Sequence, residues 1–101
     1  MKVKYLIWLA NDCSSMKELV SGLKGQGIET EILLVQDGVF FADKGNPHSA
    51  LLKGTGSKIH AIKHHVEERG LLSRLGFDVN LIDYSDAIDI MMEQSDKIIS
   101  L

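Results

Sequence analysis

Residues 3–10, VKYLIWLA, form an apolar run interrupted only by Lys4. A run without polar alternation suits a strand covered on both faces, as in parallel sheets. Parallel strands cannot be joined by tight hairpins and need a crossover, usually a helix. The sequence supplies one at once. Met16, Leu19, Val20 and Leu23 recur at helical spacing, Ser15 with Glu18 has the form of a capping box, and Gly25 and Gly27 provide a stop. Residues 30–36 (TEILLVQ) then repeat the buried-strand pattern.

The alternation continues to the end of the chain. Residues 39–52 are less regular, with Pro47 placed to open a short helix over 48–52. The segment KGTGSK reads as a loop, and residues 57–63 (SKIHAIK) alternate as a third strand. Residues 65–69 read as helix with Gly70 at its end, and residues 79–82 (VNLI) as a fourth strand. YSDAIDIMMEQ is a helix with Ala87, Ile88, Met91 and Met92 sharing a face, and residues 96–101 close the chain as a fifth strand. Strands alternating with helices predict an α/β sandwich with a mainly parallel sheet. In such sheets ligands and partners dock at the carboxyl ends of the strands, where Gln36, Asp37 and Gly38 fall.

At 101 residues the chain is expected to form one domain, residues 1–101, with one modest core. A net charge of −3, with basic residues interspersed among acids, argues against direct nucleic-acid binding. The single cysteine, Cys13, excludes an internal disulfide and makes a reducing cytoplasm the expected compartment. The first apolar run is too short for a signal peptide or a bilayer span, so no membrane association is expected.

Few residues carry a chemical signal. Cys13 lies before a helix start, where a thiol pKa can fall, while Asp12 beside it acts in the opposite direction. His60, His64 and His65 are the histidine cluster, but a turn breaks their helical spacing. They read as partly solvated side chains at the carboxyl edge of strand three, able to meet an anion. No metal or cofactor is expected. KGTGSK lacks the phosphate-loop spacing and precedes a strand instead of following one. Asp37, Asp83 and Asp86 read as caps and turn formers. Phe40, Phe41, Met91 and Met92 flank the sheet, and part of this apolar surface is available for a partner.

Three ordered segments carry a resemblance covering nearly the whole chain. LLVQDGVFFADKGN resembles the second-strand segment of the TusB/DsrH family, IHAIKHHVEERGLL its third strand and following helix, and VNLIDYSDAIDIMMEQSDKIISL its closing segment. The resemblance implies a DsrE/F/H-like three-layer α/β/α sandwich with a five-stranded, mainly parallel sheet. It implies a subunit of a sulfur-relay complex, itself non-catalytic, joined to TusC/TusD-like or DsrF/DsrE-like homologous subunits. Its pathway would be tRNA wobble-uridine 2-thiolation, with tRNA met only indirectly, or dissimilatory sulfur metabolism. Cys13 precedes the first helix, whereas cysteine-bearing DsrH-type relatives place theirs within it, at Val20 or Ser21 here. Relatives commonly end in tryptophan and this chain in Ser100 and Leu101, so self-association stays open.

Two other functions remain open on the residues alone, because fold does not fix function. Cys13 could carry persulfide independently, or the strand ends around Asp37, His64 and Asp83 could bind a small ligand in a flavodoxin-like domain. Within the QDGVFF motif, Gly38 is expected to let the chain turn and Asp37 to cap the next segment. Phe40 and Phe41 would return to cover the sheet or meet a neighbour.

Overall fold

Side chains of the inner strands are buried on both faces of the sheet, and successive residues alternate between two core clusters, one on each face. The computed structural model describes residues 3–11 and 14–101. Its strands are β1 (Lys4–Leu9), β2 (Glu29–Leu34), β3 (Lys58–Ile62), β4 (Asn80–Ile82) and β5 (Lys97–Ser100). Its α-helices are α1 (Met16–Gly25), α2 (His48–Gly54), α3 (Lys63–Glu68) and α4 (Tyr84–Glu93), and a 3₁₀ helix spans Gln36–Ala42. The five strands form one sheet in the order β4-β3-β2-β1-β5, and every pairing is parallel. The expected α/β architecture is therefore present, with a wholly parallel sheet.

This order explains the layering. From β1 to β4 the chain advances one strand at a time in one direction, then α4 carries it back across the sheet to β5. Crossovers share one hand, so advancing steps put their helices on one face and the reversing step uses the other. On the first face Ile7, Leu9, Ile32, Leu34, Ile59 and Ala61 pack with residues from α1, the 3₁₀ helix, α2 and α3. On the second, Leu6, Leu33, Val35, Ile62 and Ile82 pack with Ala87 and Ile90 of α4. Among the described residues, α4 is the only helix in that second layer.

Several local expectations change. Ser15 makes no side-chain cap bond to α1, and its φ of −93° and ψ of 3° are not the extended geometry that aims a capping hydroxyl. Lys63 opens α3 instead of ending β3. The α4 stripe is rotated: Ala87 and Ile90 are buried, Met91 half-buried, and Ile88 and Met92 exposed.

The QDGVFF motif is not a glycine turn. Gly38 has no positive φ; the left-handed residue is Gln36, at φ 50°. Gly38 is instead required by proximity, because a Cβ there would stand 2.0 Å from the Leu9 carbonyl oxygen. Nor does Asp37 cap the segment: it lies inside the 3₁₀ helix, which has no side-chain N-cap bond.

A polar row crosses the second face beside α4. Lys4 Nζ stands 2.5 Å from Glu31 Oε2, and His60 Nε2 2.5 Å from Glu31 Oε1. His60 Nδ1 is 2.9 Å from Asn80 Nδ2, so one residue from each of four adjacent strands joins the row. The pattern satisfies a neutral imidazole at both nitrogens: Asn80 donates to Nδ1, and Nε2–H donates to the carboxylate. Lys4, the one break in the first apolar run, is thus the counterion of a buried glutamate. Burial pushes the Glu31 carboxyl up, but the hydrogen bonds from Lys4 and His60 outweigh it and hold the pKa below the ordinary 4.5.

Both features are testable by substitution. Gly38→Ala is expected to cost about 2 kcal/mol or more, as overpacking against fixed backbone does, and to lower the denaturation midpoint. Glu31→Ala leaves Lys4 and His60 without their buried acceptor and is expected to cost about 3 kcal/mol by the same measurement. Because the folded carboxyl titrates below its unfolded value, its stabilisation is complete above about pH 4.5 and is lost as the pH falls through the folded pKa.

Candidate functional site

Adjacent strands β3 and β4 send their helices to opposite faces, and such a divergence opens a crevice at the carboxyl ends of the strands. His65, near the start of α3, and Tyr84, the first residue of α4, meet there. The His65 ring is almost wholly buried at 3% exposure. Its Nδ1 accepts the backbone N–H of Gln36 at 2.8 Å, and its Nε2 lies 2.5 Å from the Tyr84 hydroxyl oxygen.

The hydrogen-bond pattern assigns the tautomer. Since Nδ1 is an acceptor, a neutral His65 carries its proton on Nε2 and donates it to Tyr84 Oη. The Tyr84 hydroxyl proton is then directed away from His65. Burial, and then the Arg69 charge, hold His65 below its ordinary pKa of 6.5, so it is neutral near pH 7. The left-handed backbone of Gln36 points its N–H at this ring, an uncommon geometry for a non-glycine residue.

Arg69 holds the other side of the corner. Its Nε and Nη2 both lie 3.1 Å from Asp37 Oδ1, and Nη1 donates to the His65 carbonyl at 3.3 Å. The guanidinium carbon also stands 5.9 Å from the centroid of the Phe40 ring. Asp37 therefore anchors the arginine that braces α3 against the 3₁₀ helix. Gly70, at φ 66°, ends α3 immediately after it.

Below Tyr84 an apolar groove of about 210 Å³ runs between α4 and the sheet, with Trp8, Val35, Ile62, Ile88 and Met91 among its walls. It reaches Gln36 and His65 at its polar end.

The remaining sequence candidates are dispersed. Phe40 is 40% exposed beside Arg69, whereas Phe41 packs on the first-face core and meets His48 edge-on. His64 is exposed and lies 3.4 Å from Glu68 on its own helix. Asp83 caps α4 by accepting the Asp86 N–H at 2.8 Å, as expected of a cap former. None of Asp37, His64 or Asp83 lines the groove. Cys13 lies outside the described residues. His60 and His65 are not the partly solvated histidines that the sequence suggested: both are buried and fully hydrogen-bonded.

Sequence reasoning missed Tyr84 and undervalued His65. The available signal was that both lie at helix starts directly after strands, at the expected docking edge. Among the described residues, no group of three or more His, Cys, Asp and Glu side chains is arranged to hold a metal ion, and no helix is long and apolar enough to cross a membrane.

Comparison with known proteins places this chain in a family. Residues 11–97 match the family described as DsrH like protein. The chain belongs to the DsrH-like family. Protein TusB of Photorhabdus laumondii is 32% identical over 75 residues, covering 74% of this chain and 77% of that protein. Protein TusB of Escherichia coli O81 is 30% identical over 90 residues, covering 89% and 87% respectively. The crystal structure of the ychN protein from E. coli superposes with a TM-score of 0.76 over 100% of both chains at 15% identity, a likeness of fold alone. The DsrH-like chain thus joins the ychN architecture to a strand-end corner built from His65, Tyr84, Gln36 and Arg69.

Acid is expected to weaken this corner. His65 has a folded pKa below 6.5, so its contribution is complete above about pH 6.5 and is lost as the pH falls through the folded value. Protonated Nδ1 can no longer accept from Gln36. His65→Phe should lower stability by about 1–3 kcal/mol, through the orphaned Gln36 N–H, and flatten the stability curve between pH 7 and 5. Denaturant titrations at several pH values measure both effects.

Proposed function

We propose that this chain is a non-catalytic subunit of a sulfur-relay assembly, contributing surface and position to homologous subunits that carry the reactive thiol. The observation that carries this reading is membership of the DsrH-like family, with relatives named Protein TusB at 30–32% identity over most of the chain. The partners proposed are TusC/TusD-like or DsrF/DsrE-like chains. The proposed pathway is tRNA wobble-uridine 2-thiolation, with RNA contacted through other subunits, or dissimilatory sulfur metabolism. The cytoplasm is the compartment this implies.

The strand-end corner supports a positioning role. Its polar side chains hold one another: His65 is occupied at both ring nitrogens, and Arg69 is committed to Asp37 and the His65 carbonyl. A catalytic site of the persulfide type needs an accessible thiolate. The sequence's only cysteine, Cys13, departs from the family's cysteine position, so it is proposed to be dispensable.

Co-expression with cysteine-bearing homologous subunits of the same organism should give a complex that co-elutes on size exclusion. Cys13→Ala in that complex should transfer sulfur at the wild-type rate. A one-sulfur mass increase on the isolated chain after incubation with a cysteine desulfurase, lost in Cys13→Ala, would instead establish an independent persulfide carrier. A stable monomer that ignores all such subunits would overturn the proposal.

A further inference from the structure

We propose that the cavity between α1 and α2 binds an organic carboxylate with an apolar body, its head group held by Lys17 and Ser21. The inference goes beyond the assembly reading and does not depend on it. The cavity holds about 500 Å³, against about 210 Å³ for the groove beside α4. That volume lies within the ordinary range of small-molecule sites.

Its walls are of two kinds. Val20 of α1, 2% exposed, joins Ala50 and the half-buried Leu51 of α2 in an apolar floor. Lys17, Ser21 and Lys24 of α1 supply the polar edge, and among the described residues no aspartate or glutamate lines the cavity. An apolar cavity with a few convergent polar groups is the usual form of a ligand site, and here the sign of the charge selects an anion. The excess of positive charge is local, since the whole chain carries −3.

Folding does not account for all of these polar groups. Lys24, in the last turn of α1, has a structural use: its ammonium donates to the Thr55 carbonyl at the end of α2 and complements the dipole of its own helix. Lys17 has no such use. It stands in the first turn, where a cation opposes the dipole, and among the described residues neither its ammonium nor the Ser21 hydroxyl has a partner. The two residues are four apart on one helix, so they face the same part of the cavity and can converge on one carboxylate. Gly54 leaves the room for it. Gly54 has no positive φ, and a Cβ there would meet nothing within 4 Å, so neither backbone conformation nor close packing requires glycine at this place. With its head at Lys17 and Ser21, the ligand lays its body over Val20 and Leu51 toward Lys24, about two helical turns away.

The test uses the full chain alone with octanoate as the probe, binding read by titration calorimetry and folding by thermal midpoint. Octanoate is expected to bind at least about tenfold tighter than octanol, which lacks the charge, and than acetate, which lacks the apolar body. Lys17→Glu should weaken octanoate binding at least about tenfold with an unchanged midpoint, and Ser21→Ala several-fold. Gly54→Leu fills the cavity with a better helix former and should abolish binding without lowering the midpoint. Equal affinity for octanol and octanoate would overturn the proposal, because charge would then select nothing. Wild-type affinity in both Lys17→Glu and Gly54→Leu would overturn the site by placing octanoate elsewhere on the chain. Absence of octanoate binding, with Lys17→Glu weakening the complex with homologous subunits, would overturn it in favour of an acidic partner segment. The assembly reading is tested by co-elution of the wild-type chain, which the octanoate titrations do not use, so the two readings fail separately.

Discussion

The handedness of parallel crossovers organises this molecule. Three steps in one direction and one step back place most helical cover on one face and leave α4, among the described residues, as the only helix in the opposite layer. The same reversal makes α3 and α4 diverge from neighbouring strands, and His65 and Tyr84 meet in the crevice so formed. Candidate site and groove therefore share one topological cause.

Two buried polar arrangements have different roles in that fold. The row from Lys4 to Asn80 ties four strands together and is electrostatically complete, with Glu31 held ionised by its partners. The His65 corner ties the 3₁₀ helix to α3 and α4, and ends on a half-exposed hydroxyl. Buried polar groups are costly unless paired, and both arrangements meet that demand through tertiary partners. Only the corner projects a polar group toward an open apolar groove. That difference makes the corner the functional candidate and leaves the row structural.

The DsrH-like relationship and the geometry complement each other. Family membership names the class of assembly, while the structure identifies which surface is left uncovered and what chemistry surrounds it.

Much of the architecture was legible in the sequence because its signals are local. Strand-length apolar runs, the 3.6-residue spacing in α1, Gly70 after α3 and Asp83 before α4 each report their own backbone. The position of Asp37, Gly38 and Phe40 just beyond β2 is equally local, but their roles were not readable. Gly38 is required by the Leu9 carbonyl and Asp37 by Arg69, neighbours far away along the chain. The buried state of His60 and His65 depends on Glu31, Asn80, Gln36 and Tyr84, which only the parallel register and the diverging helices bring close. The sequence by itself determined alternating strands and helices, since periodicity and caps act over a few residues. The tertiary structure decided which face stayed thinly covered and which histidine joined the candidate site, since burial and pairing belong to residues that meet only after the chain has crossed the sheet.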